Sequence, residues 1–367
     1  MPKDKIDGIQ LFCLMVLFMF GTAVFLDLGS GARQDAWIVT ILSPIAGLAI
    51  FAVYYRLYRQ HPDLPLTEYV KKILGKYLGS LISYMYIIYF IYIASRVLRD
   101  VEELLISSPY AKTSIITLGI CMMFALIYAV HLGFEVFARA GIICFAVMTV
   151  TLLLILIFYV ISDLIHLENL RPVLANGWKP VIGEIFPVNM TVPYGELVLF
   201  TMILPLMKRK TKILKTGSMA IAYVGIYLTI NTIILICILG ADLLERSAFP
   251  ALAAVGYIEI GGFIQRLDPF IILLIVFLGF IKVGMFFYCA VIGMNNLFKM
   301  KPNVFTSYFM GGIICLSSIM IAPSYQSHLD EGLKVVPYFL HIAFQFAIPA
   351  VLLVLASIQR KWKLGKV

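Results

Sequence analysis

Charge is scarce in this chain. Asp, Glu, Lys and Arg make up 13% of its residues, where soluble domains carry about 25%. With 62% hydrophobic residues and a mean hydropathy of +0.97, it has too little polar surface to cover itself in water. Its outer solvent is therefore expected to be lipid. Catalytic signatures are missing as well. No nucleotide-binding loop, HExxH zinc site or GxSxG elbow occurs, so no enzymatic role, cofactor or metal is expected. The six cysteines, Cys13, Cys121, Cys144, Cys237, Cys289 and Cys315, lie in apolar runs without CxxC spacing. They read as buried or lipid-facing thiols rather than metal or redox groups. A cleavable signal peptide is not evident either. Residues 9–28 lack a small-x-small cleavage site and are followed by further apolar runs, so they read as a first span.

What is present is a series of apolar segments near 9–28, 36–56, 80–106, 114–131, 136–161, 185–206, 217–240, 268–297, 304–322 and 335–358. This predicts an all-α polytopic membrane protein of about ten spans within one integral membrane domain, residues 1–367. The net charge of +9 fits basic loops better than a nucleic-acid partner. Alternate connections hold Lys3 and Lys5; Arg56, Arg59, Lys71, Lys72 and Lys76; Arg139; residues 208–215; Lys299 and Lys301; and the basic tail. The opposite set is poorer in basic residues, and most of those sit beside acids, as Arg33 does near Asp35 and Arg246 beside Glu245. The bias places both termini in the cytoplasm.

The longer linkers recur in order. Residues 57–79 contain an amphipathic helix pattern from Thr67 to Leu78, 162–184 are polar and punctuated by Pro and Gly, and 241–267 contain a short helix at Phe249-Pro-Ala-Leu-Ala-Ala-Val-Gly-Tyr. Residues 9–161 and 185–358 thus follow the same plan. An odd number of spans in each half makes this an inverted repeat, a design common among secondary transporters. The first span of each half is expected to be interrupted, near Phe20-Gly-Thr-Ala in one and around Pro193 in the other. Pro193 has no N–H and blocks the carbonyl one turn back. Broken helices at membrane depth are tolerated where the freed groups face protein or a water-filled cavity. There, helix-start N–H groups suit a carboxylate and free carbonyls suit an ammonium group, as an amino acid presents.

Two ionisable residues lie within spans. Glu196 follows the second break and reads as a ligand or proton contact, or as a cap for freed N–H groups. Lys282 lies deep in the eighth span and is expected either to pair with a carboxylate or carbonyls or to be deprotonated by burial. It would put a fixed ammonium where other inverted-repeat transporters bind a sodium ion, or it forms a plain buried ion pair. Arg96, Arg99, Asp100, Glu102 and Glu103 read as a solvated helix end. Tyr89 and Tyr92 are pocket-lining or packing aromatics, and Asn231, His341 and Gln345 interhelical hydrogen bonders.

At these residues the chain resembles the spore germination receptor B-subunit family. The shared features are the length, the spans, Pro193-Tyr-Gly-Glu196, Arg266-Leu-Asp268 and Lys282. The resemblance implies the leucine-transporter-like five-plus-five inverted repeat of the amino acid–polyamine–organocation superfamily. It implies a germinant-sensing subunit in the spore inner membrane or cell membrane, with A-type and C-type receptor subunits as partners and an amino acid or other small nutrient as ligand. Carried over, the ligand site comprises Gly21, Thr22, Tyr92, Tyr194, Gly195, Glu196, Leu199 and Lys282. Asp27 follows the first break more closely than the family pattern leads one to expect. A proton-coupled amino-acid transporter and a channel-like subunit are the competing readings.

Overall fold

The computed structural model describes residues 5–23, 29–107, 110–260, 267–301 and 303–364. Among them the structure is helical apart from turns and one isolated backbone bridge, between Ile6 and Met207. The helices are α1 (Gly8–Ala23), α2 (Ala36–Gln60), α3 (Leu66–Leu74), α4 (Lys76–Ser107), α5 (Ile115–His131), α6 (Phe134–Ile161) and α7 (Trp178–Glu184). After an irregular helical segment, residues 185–206, come α8 (Ile213–Arg246), α9 (Pro250–Val255), α10 (Asp268–Phe298), α11 (Val304–Met320) and α12 (Tyr325–Lys334). A wide-turned stretch, Pro337–Ala347, then leads into α13 (Ile348–Leu364).

Six helical stretches among the described residues are long and apolar enough to cross a membrane unaided. The shorter apolar helices α1 and α5, the bent pair α11–α12 and the broken segment match the remaining expected spans. Outward-facing residues of α6 are themselves apolar, among them Ile143, Val147, Val150 and Leu154. An apolar face of that extent requires lipid as solvent.

Local sequence explains the ends. Asp7 and Gln10 form a reciprocal capping box at the start of α1: each side-chain oxygen accepts from the other's backbone N–H at 2.8 Å. The amphipathic segment is the short α3. It buries Leu66, Tyr69, Val70 and Ile73 and ends at Gly75, whose φ of +82° suits glycine. The expected pattern ran on to residue 78, but Lys76 already opens α4. The two helices cross at Gly79, where a side chain would strike the Lys71 backbone.

α4 and α10 pack together through the middle of the bundle, α1 lies against α6, α8 and α10, and α2 runs along α8. The first interruption is not at the position expected. α1 stays helical through Gly21 to Ala23, because Gly21 serves close packing rather than a turn. Residues 24–28, Asp27 included, lie outside the described residues, as do the side chain of Thr22 and the whole of Arg266. The second interruption is found where expected: the backbone leaves helical geometry at Phe186 (φ −121°, ψ 127°) and Val192 (φ −118°, ψ 119°).

Candidate functional site

The centre of the site is one ion pair. Glu196 enters the core on the residues after the break, and Lys282 reaches it from mid-α10. Lys282 Nζ donates to Glu196 Oε2 at 2.5 Å. Both side chains are buried, at 0% and 3% exposure, so each requires the other in a low-dielectric interior. The ammonium also lies 5.2 Å from the centre of the Phe18 ring, within cation–π range. Gly21 makes room for the lysine stem. A Cβ built there would lie 2.7 Å from both Cβ and Cδ of Lys282.

Backbone groups freed by the irregular segments are met by tyrosines. Tyr54 of α2 donates to the carbonyls of Gly195 at 2.9 Å and Gln345 at 2.7 Å. Tyr86 of α4 donates to Phe344 O at 2.7 Å. Gln345 Nε2 donates to the Tyr89 hydroxyl at 2.8 Å, and that hydroxyl bonds His341 Nδ1 at 2.8 Å. The Tyr89 ring stacks on Phe344 at 4.7 Å. These bonds matter in a setting where an orphan costs about 1–3 kcal/mol; Gln345 Oε1 is left buried without a hydrogen-bond partner.

Above Glu196 lies a cavity of about 50 Å³, lined among others by Arg96, Asp100, Glu196, His328 and His341. It has room for water but not for an amino acid. Val188, Leu329 and Leu333 separate it from a wider vestibule of about 680 Å³. At the vestibule wall burial raises the Glu184 carboxyl above its ordinary range. The hydrogen bond from Lys334 lowers that of Asp330.

The end of α4 is not solvated. Arg96, Arg99, Asp100 and Glu102 are all buried: α12 folds back over Arg96 and Asp100 at 103° to α11, and α11 and α5 pack against Glu102. Arg96 donates to the His328 carbonyl and lies 3.6 Å from Glu331. Tyr92 donates to Glu331 at 3.0 Å, and His328 Nε2 bonds Asp100 at 2.9 Å. Arg99 pairs with Glu103 at 2.5 Å. Glu102 accepts from Ser318 of α11 at 3.1 Å.

Gly21, Gly195, Glu196 and Lys282 thus come together. Leu199 is buried one turn beyond Glu196, its carbonyl 4.0 Å from Cys289 Sγ. Tyr92 sits higher, at the α12 contact. Tyr194 turns away, its ring wedged against Gly47 of α2. Sequence reasoning missed Phe18, Tyr54, Tyr86 and the whole α12 contact. The tyrosine spacing at Tyr86 and Tyr89 was the one available signal.

The fold and this site define an all-α polytopic membrane protein of transporter-like architecture. A Na⁺-coupled sialic acid symporter, solved in a substrate-bound outward-open state, aligns with a TM-score of 0.66 and 11% identity. The match covers 96% of this chain and 89% of that one, and at that identity it shows the fold alone. The Spore_permease family, described as spore germination protein, matches residues 5–326, and the chain belongs to that family. Spore germination protein KB of Bacillus subtilis (strain 168) is 39% identical over 361 residues, 98% of this chain and 97% of that one. Spore germination protein A2 of the same organism is 26% identical, over 83% of this chain and 85% of that one.

Proposed function

We propose that this chain is the nutrient-sensing subunit of a spore germination receptor, binding a small nutrient such as an amino acid in a transporter-like pocket. One observation carries the reading: the buried Glu196–Lys282 pair, at a break in a transmembrane segment and beside a small polar cavity, in a spore germination family member. Buried intramembrane charges are costly and mark ligand or ion pathways. The ligand surface consists of Gly21, Thr22, Gly195, Glu196, Leu199 and Lys282, with Tyr92 at its outer edge and Tyr194 as its packing support. Residues 9–161 and 185–358 form the inverted halves. Both termini face the cytoplasm, the membrane is the spore inner membrane, and A-type and C-type receptor subunits complete the assembly.

Deleting the gene in a spore former tests this. Loss of the germination response to at least one nutrient is expected. Normal germination with every nutrient, together with reduced uptake of one amino acid by growing cells, would overturn the receptor reading in favour of a transporter.

A further inference from the structure

At the end of the bundle assigned to the cytoplasm by the basic-residue bias, the start of α1 meets the start of α8. A groove of about 710 Å³ lies between them. Lys208, Arg209, Lys212 and Lys215 line it, and all are exposed. None of these four forms an ion pair among the described residues, whereas their neighbour Lys210 is engaged by Asp63. Asp7 also lines the groove, but its carboxylate is occupied in capping α1. Glu135, another acid near Lys208 among the described residues, is held by Arg139 at 2.7 Å. A 3₁₀ turn, Lys210–Lys212, runs directly into α8 and has no side-chain cap, so the first N–H groups of that turn add to the positive field.

The groove continues onto apolar surface. Ile9 of α1 is 66% exposed and Met219 of α8 54%, and half-buried Phe12 of α1 lines the same groove. A free anion would use the basic half alone; a lipid uses both halves. We infer that this groove binds an anionic phospholipid, its phosphate among Arg209, Lys212 and Lys215 and an acyl chain over Ile9, Phe12 and Met219. The site has a mechanical meaning. Ile6 already accepts from Lys208 N–H at 2.9 Å and donates to Leu206 O at 3.0 Å, tying the start of α1 to the end of the broken segment. A bound lipid spans the same junction and holds it closed.

The test uses the full chain, purified in detergent and reconstituted in nanodiscs of mixed phosphatidylglycerol and phosphatidylcholine. Native mass spectrometry and thermal unfolding are the readouts. Wild-type protein is expected to retain phosphatidylglycerol selectively and to be stabilised by it. The triple variant Arg209→Gln/Lys212→Gln/Lys215→Gln should lose about 10- to 100-fold in apparent affinity, each basic group contributing to attraction by an anionic headgroup. Lys215→Gln alone, which leaves the backbone ties intact, gives a smaller loss in the same direction and serves if the triple variant folds poorly. A variant with the same charge change elsewhere, Lys72→Gln/Lys76→Gln/Lys299→Gln, should behave as wild type. Equal retention of both lipids, or equal loss in that control, overturns the proposal. So does inorganic phosphate stabilising the protein as well as the lipid does, since the site would then be a plain anion site.

Discussion

Glu196 and Lys282 depend on each other, and their substitutions should not add. Lys282→Met leaves a carboxylate buried without its partner, a loss of about 3–5 kcal/mol. The double variant Glu196→Gln/Lys282→Met removes both charges and is expected to recover most of the thermal stability without recovering the nutrient response. Equal melting temperatures for the single and double variants would show that the pair is not coupled. Gly21→Ala tests the same place from the other side. The added methyl would sit 2.7 Å from the lysine stem, so the ammonium must shift. The cost should be about 1–3 kcal/mol of stability, with loss of the germination response; a wild-type response would remove Gly21 from the site. Both ionisable residues stood out in the sequence because charge within an apolar run is conspicuous. That they face each other did not, because their separation of 86 residues carries no periodic signal. Phe18 and Tyr54 were hidden for the opposite reason: an aromatic in an apolar run looks like any other core residue.

At the level of elements, α12 is the cover over the inner cavity. Its Leu329 and Leu333 separate that cavity from the vestibule, and Glu331 holds it to Tyr92 and Arg96 of α4. The cavity is too small for an amino acid, so the proposed function requires this cover to move when a nutrient is admitted. Glu331→Gln weakens a charge-assisted contact worth about 1.5–3 kcal/mol. In a Val97→Cys background it should raise the labelling rate by a thiol reagent about tenfold or more; an unchanged rate would mean that α12 is held by other contacts. The helices themselves were legible from apolar run length, and α9 from its Pro-Ala-rich start. The fold-back of α12 was not. Its residues are polar and helical in pattern, which reads equally as a solvated loop helix. The buried state of Arg96 and Asp100 follows only from what lies over them.

For the whole molecule, the alternation of basic connections predicts sidedness. A reporter fused after Lys210 should read cytoplasmic, and one inserted within residues 163–177 should read external. An external signal after Lys210 would overturn the proposed orientation. The segment boundaries agree with apolar run length to within a few residues for α2, α4, α5, α6, α10 and α11. The helical geometry of α8 breaks at Gly240 (φ 71°, ψ 163°), where the expected seventh span ends, and resumes as far as Arg246. Agreement is poorer at α1, which is helical past the expected break. Glycine there reports a neighbour's side chain rather than a turn, and one sequence cannot distinguish the two.

Lys282 holds its amino group on a side chain bonded to α10, with Glu196 as its partner. A dissolved cation that binds and leaves can draw on the concentration difference across the bilayer. A tethered one has nowhere to go and does no osmotic work. On the proposed function, a pocket built on such a charge reads the outside concentration of its ligand as a gauge does, without drawing on a cation gradient.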